Sequence, residues 1–212
     1  MSAVRTLVLA SGSPARLRLL RDAGIDPIVV VSGADESPVD GLDTAALVAV
    51  LAARKAAAVA ALRPHDLVLG CDSMLDVDGA ALGKPASDGE ALALWHRLAG
   101  SRAILYTGHR LIDGQSGQQA SSVAATTIRF GTPTEAELAA YIASGEPLQL
   151  AGGFSIDGRG ASFVDGIDGD PGNVIGLSLP LLRRLLAQLN IAITDLWRPP
   201  SEAWYKRGEI GS

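Results

Sequence analysis

The sequence has few of the residues from which many metal and catalytic sites are built. Of its 212 residues, one is cysteine, three are histidine and 4% are aromatic. The single cysteine, Cys71, excludes an internal disulfide and any CxxC zinc or redox site. The three histidines are far apart and lack metal-ligand spacing, so neither a histidine metal site nor a Ser-His-Asp triad is indicated. With so few rings, we expect a core of Leu, Val, Ile and Ala.

The sequence also has fewer positively than negatively charged residues. Lys and Arg number 18 against 23 Asp and Glu, which gives a net charge of -5. This balance argues against a nucleic-acid polymer as a partner. The most apolar window, 45–62, contains Arg54 and Lys55, and each charge costs about 2.5 to 3.5 kcal/mol at the centre of a bilayer. The apolar run at 7–10 is too short for a secretion signal, so we expect a soluble cytoplasmic protein without a membrane partner.

Length and pattern favour one α/β domain. Strands alternate with helices early in the chain and an antiparallel pair follows, which predicts a mixed sheet. Strands are predicted at 6–10, 28–31 (buried), 67–77, 80–82, 103–112, 121–130 and 163–167. Helices are predicted from Pro14 to before Gly24, over 44–62, from Ser87 or Asp88 to about 99, from Thr134 to about 144, and over 179–189. Residues 195–212 are expected to form a polar C-terminal tail after a domain that spans 1–194.

Familiar nucleotide and hydrolase motifs are missing. Gly83-Lys84-Pro85 resembles the end of a P-loop, but Gly79 is one residue too close and Pro85 stands where Ser or Thr must bind magnesium. No GxGxxG occurs, which gives no support for a dinucleotide fold. The segment 153–157 misses the nucleophile elbow at its last position.

The segment Ser11-Gly12-Ser13-Pro14-Ala15-Arg16 joins a predicted strand to a helix N-terminus. Backbone N–H groups and the helix dipole make such a turn an anion site. Arg16 lies in the first helical turn, where the dipole disfavours a cation, so an anion between Arg16 and the helix end would explain it. The alternative is an ordinary capped helix with a solvated arginine.

Two carboxylates follow predicted strands. Asp72 ends a buried run at 67–71, where it could bind a metal ion or activate water. Glu36 follows the second strand and could complete a two-carboxylate magnesium site, an arrangement common with phosphate substrates. The alternatives are a hydrogen-bonded turn aspartate for Asp72 and a solvated loop acid for Glu36.

Two lysines complete the candidate site. Lys55 is in the middle of a nearly uncharged helix, so it either faces a specific group or extends to solvent along the apolar surface. Lys84 is in a rigid Gly-Lys-Pro loop after the hairpin turn at 78–79. With Arg16, Glu36 and Asp72, these lysines would form a phosphate-plus-metal site in an acidic protein.

At these residues the chain resembles the Maf family of nucleoside triphosphate pyrophosphatases, once called septum-formation inhibitors. The ordered series spans roughly residues 6 to 190 and is highly specific, although each motif alone is weak. Its members are Leu9-Ala10-Ser11-Gly12-Ser13-Pro14-Ala15-Arg16, Asp35-Glu36-Ser37, Arg54-Lys55-Ala56, Leu69-Gly70-Cys71-Asp72-Ser73, Leu82-Gly83-Lys84-Pro85, Gly145-Glu146-Pro147, Ala151-Gly152, Gly169-Asp170 and Asn173-Val174-Ile175-Gly176-Leu177.

The resemblance implies a two-lobed α/β fold similar to that of inosine triphosphate pyrophosphatases, with the active site in the central cleft. It implies hydrolysis of nucleoside triphosphates between the α and β phosphates, a Mg²⁺ or Mn²⁺ cofactor, a house-cleaning role and a homodimer. The roles it assigns are proton acceptor for Asp72, metal ligand for Glu36, phosphate binding for Ser11, Ser13 and Arg16, and catalytic support for Lys55 and Lys84. We expect Asp72 to hold the metal together with Glu36. Water activated by Asp72 or the metal would attack the α phosphorus while both lysines neutralise the pyrophosphate.

Three positions depart from the family pattern. Ala15 replaces an arginine, Leu150 a lysine and Asp157 a glutamine. The first two changes remove positive charge near a polyanion, and a charge-assisted hydrogen bond contributes about 1.5 to 3 kcal/mol. The preferred nucleobase therefore stays open, as do two other functions: a non-catalytic nucleotide-binding regulator of cell division, and a phosphatase of another fold. Trp197 and Trp204 would pack either across a dimer interface or on their own domain.

Overall fold

The computed structural model of the chain describes residues 5–37 and 39–198. Its strands and helices form an α/β fold around one seven-stranded mixed sheet. The strands are β1 (Leu7–Leu9), β2 (Ile28–Val29), β3 (Leu67–Val77), β4 (Ala80–Leu82), β5 (Arg102–Asp113), β6 (Gln119–Phe130) and β7 (Val164–Asp168). The helices are α1 (Pro14–Asp22), α2 (Thr44–Leu62), α3 (Asp88–Leu98), α4 (Glu135–Ala143), α5 (Pro171–Ile175) and α6 (Leu179–Gln188).

The mixed sheet predicted from the sequence is confirmed. Its order is β2-β1-β3-β5-β6-β7, and β4 pairs with β3 outside this path. The pairs β1–β2 and β1–β3 are parallel, and the other pairs are antiparallel. The parallel part is the β1-α1-β2-α2-β3 segment, in which helices connect the strands, as parallel pairing requires.

Side-chain caps fix where several helices begin, as the sequence predicted. Ser13 caps α1 by accepting the backbone N–H of Arg16, and Ser87 caps α3 in the same way. Thr134 and Glu137 form a complete capping box at the start of α4. Each cap satisfies a backbone N–H that has no partner within the helix.

One local prediction is wrong, and one helix was missed. The second strand covers only Ile28–Val29, and both residues are 41% exposed instead of buried, because β2 lies at the edge of the sheet. Helix α5 was not predicted at all. Asp170 caps it and Gly176, with a φ of 122° in the region that favours glycine, ends it.

One face of the sheet packs closely against α2. A Cβ atom added to Gly70 of β3 would lie 2.4 Å from the carbonyl oxygen of Ala52. A Cβ added to Gly108 of β5 would lie 2.2 Å from the carbonyl oxygen of Val48. These two glycines therefore let the helix backbone approach closer than any other residue type would allow.

The opposite face carries two apolar clusters. The first, here the leucine cluster, joins β1 and β3 to the buried face of α6, and its largest members are leucines. The second, here the Trp95 cluster, contains five of the aromatic residues, with Trp95 in edge-to-face contact with Phe130, Tyr141 and Phe163 at centroid distances of 5.6 to 5.7 Å. The expectation of a core without rings holds for the leucine cluster and is wrong for the Trp95 cluster.

Helix α2 is long and apolar enough to cross a membrane by length and composition alone, with a mean hydropathy of 1.9. In the structure, eight of its residues are buried, and the helix packs along β3 and β5. We therefore interpret it as a core helix of a folded domain.

Leu196 and Trp197, in the predicted C-terminal tail, contact the rest of the domain. A 3₁₀ turn covers Ile193–Leu196, and Leu196 is buried in the leucine cluster. Trp197 forms an isolated bridge with Ile25 and is 48% exposed. Trp204, which the sequence analysis also singled out, lies outside the described residues.

Candidate functional site

The candidate site lies at an uncovered stretch of β3. On one side of this strand, pairing with β1 ends at Leu69 and pairing with β4 begins at Leu75. Among the described strands, none pairs with residues 70–74 on that side. The turn after β1 and the loop after β4 flank this gap, and both contain predicted site residues.

The first cluster lies on the face of the sheet that packs against α2. The Lys55 Nζ lies 2.6 Å from Asp72 Oδ1 and 3.0 Å from Glu36 Oε2. Lys55 and Asp72 are 8% and 6% exposed, whereas the Glu36 side chain is 61% exposed. The lysine is therefore a buried ion-pair partner and does not extend to solvent, and the two predicted carboxylates are close together through it.

Arg54, the neighbour of Lys55 on α2, secures the loop that carries Glu36. Its guanidinium donates to the carbonyl oxygens of Asp35 (3.3 Å) and Ser37 (3.1 Å), one on each side of Glu36. Within this turn, the hydroxyl and backbone N–H of Ser37 donate to Asp35, and these hydrogen bonds lower the pKa of the Asp35 carboxyl. This positioning contact of Arg54 was not predicted from the sequence.

The second cluster lies on the opposite face, where Arg16 uses all three guanidinium nitrogens. Nε donates to the carbonyl oxygen of Gly176 (2.8 Å), and the other two nitrogens donate to Ser11 Oγ (3.0 Å) and Ser73 Oγ (2.9 Å). Ser11 Oγ also accepts the backbone N–H of Ser13 at 3.2 Å. Arg16, Ser11 and Ser13 are thus together, as predicted, and Arg16 is buried and not solvated.

Further polar residues of this cluster were missed. The hydroxyls of Ser73 and Thr107 lie 2.9 Å apart, and Thr107 Oγ1 also donates to the carbonyl oxygen of Asn173 (3.1 Å). The buried Asn173 amide donates to Leu105 O and Thr126 Oγ1, both at 3.0 Å. This polar layer lies on the same face as the two apolar clusters. The only sequence sign of it is that polar residues stand at strand positions otherwise filled by apolar ones.

The two clusters belong to adjacent residues of one strand. Asp72 and Ser73 point to opposite faces because side chains alternate along a strand. A ligand at the uncovered edge of β3 can therefore contact both clusters, which neither face alone would allow.

Lys84 stands apart from the other predicted residues. It is exposed, and within the described parts of the chain its side chain has no hydrogen bond or ion pair. The neighbouring Gly83 is fixed, since its carbonyl oxygen accepts the backbone N–H of Gly152 at 2.9 Å. The loop thus places Lys84 beside the gap without joining it to Lys55 or Arg16.

The positions that depart from the family pattern are distributed around the site. Ala15 lies in the first turn of α1, and Leu150 is half-buried between two 3₁₀ turns. Asp157 forms an ion pair with Arg18 of α1. That contact ties the loop after residue 150 to the helix that bears Arg16.

Cys71 is fully buried beside Asp72. Burial, reinforced by the Asp72 charge, raises the pKa of its thiol to about 11 against the opposing effects of Arg16 and Lys55. The thiol is protonated at neutral pH, and a protonated, buried thiol is inert as a nucleophile.

The two carboxylates, Glu36 and Asp72, suit a divalent cation that takes only some of its ligands from the protein. Within the described residues, no group of three or more His, Cys, Asp and Glu side chains could hold a metal ion. Glu36 and Asp72 nevertheless converge on one cationic group, the Lys55 ammonium. Mg²⁺ commonly takes one or two carboxylates and fills its remaining positions with water and substrate phosphates, so this donor set fits Mg²⁺ or Mn²⁺ together with a phosphate substrate.

Comparison with known proteins assigns the family. The family described as Maf-like protein matches residues 6–189. A protein of Streptomyces coelicolor named nucleoside triphosphate pyrophosphatase is 58% identical over 93% of this chain and 97% of its own length. Proteins of the same name from Streptomyces avermitilis and a Mycobacterium species are 56% and 52% identical, over 92% and 90% of this chain and 96% and 97% of their own lengths. The chain therefore belongs to the Maf-like protein family.

Proposed function

We propose that the protein is a nucleoside triphosphate pyrophosphatase: water breaks the bond between the α and β phosphates and releases a nucleoside monophosphate and pyrophosphate. The names of the relatives support this activity. The observation that carries the proposal is structural. Arg16 on one face and the Lys55–Asp72 pair on the other both reach the uncovered edge of β3.

Arg16, Ser11 and Ser13 bind the phosphates in this proposal. The Arg16 guanidinium is fixed by three acceptors, so its orientation is set before substrate arrives. The turn at 11–13 and the start of α1 add backbone N–H groups and the positive end of the helix dipole. Because these groups are already in place, little ordering cost remains at binding.

Asp72 acts as the base in this proposal, and Lys55 fixes its orientation. Asp72 Oδ1 accepts from Lys55, which leaves the other carboxylate oxygen for a water molecule. Lys55 then lies beside the reacting phosphate and offsets the charge that builds on it, and Lys84 reaches the pyrophosphate from the loop after β4.

Glu36 and Asp72 would hold the divalent cation. When bound, the cation would offset charge on the phosphate oxygens and make the phosphorus easier to attack. The chain's own residues would still orient the water and bind the triphosphate.

The test replaces the proposed base. Asp72→Asn removes the carboxylate but keeps its shape, and we expect pyrophosphate release to fall at least about 100-fold, the lower end of general-base contributions. Asp168→Asn is the matched control, since the Asp168 side chain is 80% exposed on β7. Thermal unfolding confirms that both variants fold. Turnover of Asp72→Asn close to that of the wild type would refute the assignment.

The same assay separates the competing functions. A panel of canonical and modified nucleotides with Mg²⁺ or Mn²⁺ should give pyrophosphate together with the monophosphate. Release of orthophosphate would indicate a phosphatase, and nucleotide binding without any release would indicate a regulator. The panel also ranks the nucleobases, for which Ala15, Leu150 and Asp157 give no assignment.

The cellular setting is part of the same proposal. We propose a cytoplasmic enzyme that acts on free nucleotides and assembles as a homodimer, as the family resemblance implies. Sedimentation of the purified chain measures the assembly directly, and a mass equal to one chain would exclude the dimer.

A further inference from the structure

Three groups of β5 fasten the segment from Asn173 to Ser178 to the sheet. The Asn173 amide donates to Leu105 O at 3.0 Å, and Thr107 Oγ1 donates to Asn173 O at 3.1 Å. His109 Nε2 accepts the backbone N–H of Ser178 at 3.0 Å. These residues of β5 are spaced by two, so they share one face of the strand.

The hydrogen bonds of His109 define its tautomer. Nδ1 lies 3.0 Å from the carbonyl oxygen of Thr107, which can only accept, so Nδ1 carries the proton. Nε2 is then free to accept from Ser178. The imidazole is neutral and 1% exposed.

The surroundings of His109 keep it neutral. Burial, aided by the charge of Arg16 from α1, lowers the pKa of His109 to about 4 against the opposing effects of the Thr107 carbonyl and of Asp170 before α5. The residue of β3 that pairs with His109 is Cys71, whose thiol is protonated. Ser178 from the start of α6 contributes only its backbone N–H.

The segment that His109 fastens also carries a partner of Arg16. Gly176, two residues before Ser178, offers the carbonyl oxygen that accepts Arg16 Nε at 2.8 Å. Thr107 supports the same arginine from the other side through Ser73. Loss of the His109–Ser178 hydrogen bond would therefore free the Gly176 end of the Arg16 contact.

We propose that His109 is a positioning residue that sets the orientation of Arg16 by fixing the Gly176–Ser178 turn. This inference rests on the proposed function, because there Arg16 binds the phosphates. His109 itself touches neither substrate nor metal in this scheme.

Two substitutions separate the hydrogen bond from the ring. In His109→Gln, the side-chain oxygen can occupy the place of Nε2 and accept from Ser178. In His109→Asn, the shorter amide can still donate to Thr107 but cannot reach Ser178. We expect KM to rise about tenfold in the Asn variant, the upper range for one hydrogen bond, with kcat within about twofold, and the Gln variant to keep a KM near that of the wild type.

A double-mutant cycle tests whether the effect runs through Arg16. In an Arg16→Ala background, His109→Asn should change KM by less than twofold, because the arginine it positions is gone. Equal effects of His109→Asn with and without Arg16 would overturn the proposal, as would a Gln variant that is impaired like the Asn variant. His96→Asn on the exposed face of α3 is the matched control and should leave KM unchanged.

A readout without nucleotide separates this inference from the proposed function. The ¹⁵N–¹H signal of Arg16 Nε, assigned with Arg16→Lys, should exchange slowly with solvent in the wild type and the Gln variant. It should exchange quickly in the Asn variant. Slow exchange in a folded Asn variant refutes the positioning role of His109 even if the enzyme is active. Absence of pyrophosphate release from the wild type refutes the proposed function but leaves the exchange result, and with it the positioning role, valid. If the Asn variant does not fold, the Gln variant decides by the same signal, and fast exchange there overturns the proposal.

Discussion

The contact between Gly70 and α2 connects the packing of the domain to its chemistry. Gly70 precedes Asp72 by two residues on β3, and the helix that covers it carries Lys55. Gly70→Ala introduces one methyl group at this contact. The methyl would lie 2.4 Å from the Ala52 carbonyl oxygen and 2.7 Å from the Ala56 backbone nitrogen.

The size of the effect follows from those distances. Ordinary contacts begin near 3.4 Å, so the helix must move by about 1 Å, and backbone atoms cannot rotate away as a side chain would. Overpacking of this kind costs about 1 to 3 kcal/mol of stability. A displacement of about 1 Å between catalytic groups can lower the rate about 100-fold. We therefore expect Gly70→Ala to lower both the stability of the domain and the rate of pyrophosphate release, because Lys55 moves with the helix relative to Asp72.

The measurement pairs urea unfolding with the rate of pyrophosphate release. Gly89→Ala is the matched control: Gly89 lies in α3, and the atom nearest to an added Cβ is Ser87 Oγ at 3.9 Å. There the same change should be neutral or should stabilise by about 0.4 to 1 kcal/mol. A Gly70→Ala enzyme with wild-type stability and activity would show that close contact with α2 does not set the Lys55–Asp72 geometry.

Two further predictions concern His109, which is buried, and Glu146, which is half-buried. Since the pKa of His109 is about 4 in the folded chain and near 6.5 in the unfolded chain, the unfolded state binds more protons between these values. The free energy of unfolding should thus fall as the pH falls through this window, by about 2 kcal/mol between pH 7 and pH 5. Urea unfolding at the two pH values measures this loss, which should be smaller in His109→Gln. Glu146→Gln should lower the unfolding free energy by about 1 to 3 kcal/mol in the same assay, because the Glu146 carboxylate accepts from Tyr141, Ser155 and two backbone N–H groups. These hydrogen bonds outweigh the effect of burial and lower the pKa of Glu146. Unchanged stability would refute their role.

Local signals explain which elements were predictable. Helix α2 was predicted with its observed bounds, because its apolar run is long enough to give a clear signal; in the structure Asp43 caps its start and Arg63 follows its end. Helix α5 has five residues, too few for an apolar period, and it lies in a glycine-rich stretch. The burial of β2 was misjudged because an apolar run looks the same at the edge of a sheet as at its centre.

The site residues, too, were predictable where the contact is local in sequence and not where it depends on how distant elements pack. Ser11, Ser13 and Arg16 share one turn, so sequence proximity alone brings them together. Lys55 and Asp72 were predicted to share one site, but their direct contact was not predicted, because it depends on how α2 lies over β3. Ser73, Thr107 and Asn173 were missed because their contacts depend on the register of β3 with β5 and on helix α5, whose Asn173 is 66 residues beyond Thr107.

The distribution of charge explains how an acidic protein could bind the triphosphate of the proposed function. The net charge of -5 is a property of the whole chain, whereas a substrate interacts with charges within about one Debye length, near 10 Å. The gap in β3 has Arg16 on one face of the sheet, and Lys55 with the carboxylates of Glu36 and Asp72 on the other. Two positive and two negative groups nearly cancel. A triphosphate carries several negative charges, more than this site can balance by itself. In the proposed function, the carboxylates would therefore recruit a divalent cation together with the substrate, and Lys55 would keep them from repelling each other before the cation binds.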